Sequence, residues 1–153
     1  MSASTSLLVF NIEGARIAVD LLHVERVVRA ATLAPIPGAP DTVLGMLNLN
    51  GIPVPVVNLR KKLGFEDREL ETTDEIIIFR REMALLGIVV DEVEDVVQVK
   101  DMDMTPISED ADLPHLSGAP RLNDGMVLVD SIAKLLNSKE EYQLASAIAR
   151  SHH

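Results

Sequence analysis

Gly45-Met46-Leu47-Asn48-Leu49-Asn50-Gly51-Ile52-Pro53-Val54-Pro55-Val56-Val57-Asn58-Leu59-Arg60-Lys61-Lys62-Leu63-Gly64 is the stretch on which the fold turns. Asn50-Gly51 is the dipeptide that most readily supplies the two positive φ angles of a type I′ turn, so the segment reads as a hairpin with a two-residue loop. Leu49 then faces Ile52, Leu47 faces Val54 and Gly45 faces Val56. Facing residues share a side of a sheet, so Leu47, Leu49, Ile52, Val54 and Val56 form one apolar face, and Met46, Asn48, Pro53 and Pro55 take the other. In a hairpin of this loop length, Leu49/Ile52 and Leu47/Val54 are the hydrogen-bonded pairs. Pro53 and Pro55 fall where the missing N–H would point away from the partner strand, so they spare the hairpin and restrict pairing on the outer side. Asn58 can cap a short helical turn over Leu59–Leu63, and Gly64 can end it. Arg60, Lys61 and Lys62 form a small basic spot suited to the C-terminal end of that turn's dipole.

Upstream of the hairpin, Leu7–Ile12 reads as a strand, Glu13-Gly14 as a turn and Arg16–Val19 as a second strand. Asp20 can cap a short turn through Leu21–Val24, and Val27-Val28 resumes extended structure. Three prolines and a glycine make Ala34–Pro40 a rigid loop. Downstream, Glu66–Glu75 is a polar connector, and then the pattern starts again. Phe79 lies 69 residues after Phe10, Ile88 lies 71 after Ile17, Gly118 lies 73 after Gly45 and Asp130 lies 72 after Asn58. Val93…Val97 repeats Val24…Val28 in the same order. The fold class is therefore all-β: two similar lobes, about 7–65 and 76–137, each a small barrel of about five short strands, SH3-like in size. Lys100–His115 is a second irregular, acidic loop. Ser138-Lys139-Glu140-Glu141 fits a capping box, and Tyr142, Ala145 and Ile148 fall near one face of a C-terminal helix over 138–150. Residues 151–153 read as the remnant of a purification tag, and 1–153 as a single domain.

Composition narrows the function classes. The chain is 47% hydrophobic but 3% aromatic, so its core is aliphatic and its Val and Ile favour strands. A net charge of −10 repels phosphate backbones and acidic membrane surfaces, and few aromatics leave no stacking platform for single strands, so no nucleic-acid partner is expected. No apolar run is long enough to span a bilayer, and no membrane insertion is expected. The absence of cysteine excludes a disulfide framework and favours a cytoplasmic location.

Catalytic patterns are sparse. Asp101-Met102-Asp103-Met104-Thr105 matches the Asp-x-Asp-x-Thr loop of aspartate-nucleophile phosphatases, a chemistry that needs a bound Mg²⁺ and an α/β sheet delivering the loop. The chain lacks βαβ alternation, and a solvated acidic loop is the plainer reading. Glu109, Asp110 and Asp112 lack the spacing of a calcium loop. His23 and His115 have no local ligand partner. No phosphate-binding glycine loop and no nucleophile elbow occur. The expectation is a protein that is not an enzyme and needs no cofactor or metal.

Val43-Leu44-Gly45 through Asn58-Leu59-Arg60 resembles the signature of CheW-type adaptors, roughly hydrophobic–x–Gly–x–x–Asn–Leu–Arg–Gly–x–x–x–Pro–hydrophobic–hydrophobic–Asp/Asn–Leu. Leu8-Val9-Phe10, Val24…Val27, Pro35-Ile36-Pro37, Gly87-Ile88-Val89-Val90-Asp91 and Leu135-Leu136 extend the resemblance over nearly the whole chain. The resemblance implies two intertwined five-stranded barrels around a shared interior. It also implies a chemosensory scaffold that docks on the regulatory domain of a CheA-type histidine kinase and on the tip of a methyl-accepting chemotaxis receptor, at membrane-associated arrays. A CheW-like module of a pilus-motility or surface-sensing pathway would look the same in sequence.

Site residues carry over only where motifs match. Val24 sits where the family places a partner-contacting valine. Asn48 and Gly51 keep the signature hairpin, with Gly51 as its turn former, and by the resemblance the far side of that hairpin lies near the receptor groove. Asn50 stands where the family normally has arginine, and Arg26 where an acidic residue is common. The two departures suggest that Arg26 and Asn50 lie close together and that a guanidinium has moved from one position to the other.

Overall fold

The structure is a computed structural model that describes residues 4–39, 41–62, 64–81, 84–100, 104–106, 120–122 and 127–129. Its elements are β1 (Ser4–Ile12), β2 (Ala15–Asp20), a 3₁₀ turn (Leu21–His23), β3 (Val24–Arg29), β4 (Val43–Leu49), β5 (Ile52–Val57), α1 (Leu59–Lys62), β6 (Glu75–Arg81), β7 (Ala84–Val90), β8 (Glu92–Lys100), β9 (Met104–Pro106), β10 (Pro120–Leu122) and β11 (Val127–Val129). The proposed C-terminal helix, Asp101, Asp103, His115, Gly118 and Asp130 lie outside the described residues.

The signature hairpin has the expected register. Leu49 pairs with Ile52, Leu47 with Val54 and Gly45 with Val56. Asn50 and Gly51 have φ of 51° and 88°, the two left-handed positions of the turn. One side chain departs from expectation: Ile52 is 42% exposed, because it lies at the tip, beyond the last strand that could cover it. Pro55, expected on the face opposite the apolar one, is also buried. The outer side of β5 pairs in parallel with β7 only at Val56 and Val57, just past both prolines. The caps also form. The Asn58 side chain accepts from Lys61 N–H at 3.2 Å, Gly64 closes α1 with φ 83°, and Asp20 accepts from Leu22 N–H at 2.9 Å.

The strands form two sheets, ordered β8-β1-β2-β11-β10-β9 and β3-β6-β7-β5-β4. The repeat explains this order. β1 and β2 of the first half sit between β8 and β11 of the second, and β6 and β7 of the second sit between β3 and β5 of the first. Each sheet thus takes its central hairpin from one half and its flanking strands from the other. The second sheet has five strands; the first has a sixth, the short β9, in the segment expected to be irregular. The halves even share a defect. Val24 opposes Phe79 and Arg26 opposes Ile78, so Glu25 is bulged; Val93 opposes Phe10 and Asp95 opposes Val9, so Glu94 is bulged.

The core follows from the exchange. Leu8, Phe10, Ile12, Ile17 and Val19 of one hairpin pack with Ile77, Phe79, Leu86, Ile88 and Val90 of the other. A second cluster, Leu47, Leu49, Val54, Val56, Ile76, Ile78 and Leu85, fills the other side of the second sheet. β6 therefore feeds alternate residues to two cores, and Ile76, Ile77, Ile78 and Phe79 are all buried. Burying each such side chain contributes about 1.5–3 kcal/mol.

Two glycines of the hairpin act by different means. A Cβ on Gly45, at φ 157°, would lie 2.8 Å from the Ala34 carbonyl oxygen and 2.9 Å from Leu33 Cβ. A Cβ on Gly51 would meet nothing within 4 Å, so only its backbone conformation is at stake. Gly51→Val is therefore expected to destabilise by about 1–3 kcal/mol through backbone strain, and Gly51→Asn by about 1 kcal/mol or less, because Asn tolerates the left-handed region. Thermal unfolding of the two variants checks this, and an unchanged midpoint for Gly51→Val would contradict the turn.

Candidate protein-contact site

The far side of the signature hairpin carries a groove of about 300 Å³ lined by Ala34, Met46, Leu47, Asn48, Gly51 and Pro53. Its wall exists because Ala34 and Met46 exchange both main-chain hydrogen bonds, at 2.7 and 2.8 Å, which pins the proline-rich loop beside β4. Gly45 permits that approach, having no side chain to collide with Ala34. Asn48 is exposed, and its Oδ1 accepts from Gly51 N–H at 2.6 Å, so one residue both lines the groove and ties the turn. Asn50 is exposed at the tip.

Val24 and Arg26 lie elsewhere, on β3. Val24 is partly buried against the shared core, opposite Phe79. Arg26 is exposed and shares a face with Ile78. The bulged Glu25 accepts two hydrogen bonds from Arg80, Nε to Oε2 at 2.9 Å and Nη2 to Oε1 at 3.0 Å. Hydrogen bonding from Arg80, then the charges of Arg80 and Arg26, hold the Glu25 carboxyl below the usual glutamate range against an opposing desolvation. Leu22, in the 3₁₀ turn just before, is 85% exposed. The structure does not bring Arg26 and Asn50 together by pairing: β6, β7 and β5 lie between β3 and β4, and among the described residues no hydrogen bond or ion pair joins the two.

Sequence reasoning missed a polar network behind the hairpin. Arg60, read as part of a surface spot, is buried and pairs with Glu13 and Asp91. Arg68 of the connector reaches Asp74 at 2.7 Å and Asp91 at 3.1 Å. Hydrogen bonding to Asp74, foremost, raises the Arg68 pKa further above its ordinary value. Asn58 is buried and donates to Asp67 at 2.8 Å. The network bolts α1 and the connector to the β1–β2 turn and to the β7–β8 junction. The repeat held a usable signal: Asp91 matches Asp20, but Asp20 caps a turn while Asp91 gathers two arginines.

For the phosphatase pattern, Met104–Pro106 is an antiparallel strand paired with β10. The described strands form two mostly antiparallel sheets, which is not the α/β sheet such chemistry requires. Among the described residues, no group of three or more His, Cys, Asp or Glu could hold a metal, and no helix is long and apolar enough to cross a membrane.

These features define a class: a two-sheet β module built from exchanged halves, presenting a hairpin groove and a charged outer strand. Residues 6–140 match the CheW-like domain, and the chain belongs to that family. It is 30% identical over 148 residues to the chemotaxis protein CheW of Klebsiella aerogenes, covering 95% of this chain and 89% of that protein. It is 32% identical over 107 residues to the CheW of Thermotoga maritima, covering 67% of this chain and 69% of the relative. Among solved structures, the scaffolding protein TtCheW from Thermoanaerobacter tengcongensis superposes with a TM-score of 0.74 over 92% of this chain and 96% of that one; at 22% identity the likeness concerns the fold.

Two outcomes follow from the charges. Arg68→Met leaves the Asp74 side chain, 2% exposed, with only the Glu71 N–H as a donor among the described residues, and is expected to cost roughly 3 kcal/mol in denaturant unfolding, with Asp74→Asn recovering part of it. Because the folded Glu25 pKa is depressed, its pair with Arg80 adds stability above the unfolded glutamate pKa, and this is lost as pH falls through the folded value. Arg80→Gln should return the Glu25 titration, followed by NMR, towards the ordinary range.

Proposed function

We propose that this chain is a chemosensory adaptor that holds a CheA-type histidine kinase and a methyl-accepting receptor in one assembly through protein contacts alone. The observation that carries the reading is the family match over residues 6–140, which spans both exchanged halves and the signature hairpin. In this reading each sheet curls into an SH3-like barrel, and the chain acts as one domain in the cytoplasm at receptor arrays. Val24, Arg26, Asn48 and Asn50 belong to its partner-contacting surfaces.

The physical task of such a scaffold is to keep separate docking surfaces at a fixed spacing. The shared core and the Arg60 network suit it, since neither sheet can shift without disturbing residues of both halves. Coupling between partners then requires only that each favour the same arrangement of the assembly, with no bond chemistry. Aliphatic patches rimmed by polar groups are adequate for such contacts.

The test is calorimetry of the purified chain against the cognate kinase regulatory domain and against a receptor signalling fragment, in chelator and without nucleotide. Binding of both is expected. Absence of heat and of co-elution at high micromolar concentrations with either partner would overturn the reading.

A further inference from the structure

The tip of the signature hairpin carries a reactive pair. Asn50-Gly51 is the one Asn-Gly dipeptide in the sequence. Both residues are exposed, and a Cβ on Gly51 would meet nothing within 4 Å, so nothing packs against the glycine. Among the described residues no hydrogen bond holds the Asn50 side chain. The Gly51 N–H, by contrast, is held: it donates to Asn48 Oδ1 at 2.6 Å. Asn48 lies on β4 opposite Pro53, so the acceptor is anchored in the hairpin ladder and not in the turn. The turn type sets the remaining geometry. With φ of 51° at Asn50 and 88° at Gly51 the turn is type I′, and the Gly51 nitrogen is turned away from the Asn50 side chain. Turning the Asn50–Gly51 peptide over gives the type II′ turn, the mirror image of type II, with ψ of Asn50 at about −120°. The nitrogen then eclipses Asn50 Cβ, which is the approach that closing a five-membered ring on Cγ requires.

We infer that Asn50-Gly51 is a site of spontaneous deamidation whose rate in the folded chain is held down by the Asn48 side chain. The reaction needs only water. Hydroxide takes the Gly51 N–H proton, and the nitrogen attacks Asn50 Cγ. The Cγ–Nδ2 bond breaks, and Nδ2 leaves as ammonia with a proton from water. One water molecule then opens the succinimide. Cleavage of the ring nitrogen's bond to Cγ yields aspartate. Cleavage of its bond to the main-chain carbonyl carbon yields isoaspartate, in which the chain runs through the former side chain. Asn48 opposes two of these steps: its hydrogen bond keeps the proton on the nitrogen and keeps the peptide in the type I′ orientation. Either product adds a carboxylate at the exposed tip of a chain whose net charge is −10. Isoaspartate also adds a main-chain carbon, which a two-residue turn does not accommodate. Asn48 and Gly51 line the hairpin groove, so the change alters that groove from within. This chemistry does not depend on the adaptor reading.

The experiment incubates the full chain at neutral and mildly alkaline pH in water enriched in heavy oxygen. After digestion, the aspartyl and isoaspartyl tip peptides are separated and weighed by mass spectrometry. The samples are wild type, wild type in denaturant, Asn48→Ala and Asn48→Asp. Heavy oxygen marks hydrolysis that took place during the incubation. Folded wild type should react more slowly than its own unfolded chain. Asn48→Ala should react faster than folded wild type by about fivefold or more, the factor that one net hydrogen bond represents. Asn48→Asp keeps a side-chain oxygen as acceptor and should be no faster than wild type. Every rate should rise with pH, because hydroxide removes the proton. Hydrogen exchange at the Leu47 and Leu49 amides, in the rungs with Val54 and Ile52, should be equally slow in wild type and both variants, which places the change in the turn and not in an opened hairpin. No product at Asn50 in any sample overturns the inference. So does a folded wild-type rate equal to the unfolded one, or an Asn48→Ala rate equal to wild type. An Asn48→Asp rate as fast as Asn48→Ala, or acceleration that follows lost amide protection, also overturns it, since the Asn48 oxygen would not then be the guard.

Discussion

The pairing of β1 with β8 and of β6 with β3 joins the two halves of the chain, and the rest of the structure depends on it. A hairpin of two strands is marginal in water; it needs further strands and a covered face. Here each half supplies a central hairpin but its flanking strands go to the other half's hairpin. The shared core repeats the arrangement in side chains, with Phe10 and Phe79 in the same cluster. Neither half buries its apolar face alone, so the two sheets gain stability together. The contacts are non-local, and bringing such strands together carries the loop-closure entropy of the intervening chain.

The halves then diverge where one of them does additional work. Their bulges coincide at Glu25 and Glu94, and each bulged glutamate is held by an arginine, Arg80 for one and Arg16 for the other. A bulge bends a strand and turns a side chain outward. The arginines hold the exposed carboxylates in place with modest energy, as expected for surface pairs. The aspartates at the ends of β2 and β7 have parted further. Asp20 caps a turn beside Leu22, whereas Asp91 receives Arg60 and Arg68 and so anchors the connector that follows the signature hairpin.

Much of this was legible in the residues. Asn50-Gly51 set the hairpin register, the two prolines marked the side of β5 on which pairing is restricted, and Asn58 and Asp20 announced their caps. The spacing from Phe10 to Phe79 and from Ile17 to Ile88 revealed the repeat. The exchange of hairpins was not legible from alternation, because a strand's pattern tells which face is buried but not which strand lies beside it; only the family resemblance implied it. Ile52 looked like core because its register is right, but register does not say how far a covering layer extends. Arg60 looked like surface because a short turn is usually exposed. Its burial depends on Glu13 and Asp91, which are distant in sequence. Arg26 and Asn50 were coupled on substitution pattern alone, and sheet order does not place them side by side.

The outer strands raise a last physical question, since an exposed strand invites unwanted pairing with other chains. β4 is partly closed by the Ala34–Met46 exchange, which occupies its outward main-chain groups at that point. β3 is guarded differently. The bulge at Glu25 breaks its regular ladder, and charged side chains at Glu25, Arg26 and Arg29 oppose close approach of a flat strand. With main-chain pairing discouraged on both sides, recognition passes to side chains. Side chains can be tuned for charge without altering the backbone, so one fold can keep its exchanged core while its rim changes partners. Asn50 and Arg26 are then changes at the rim, and the hairpin register, held by Gly45, Gly51 and the buried leucines and valines, does not depend on either.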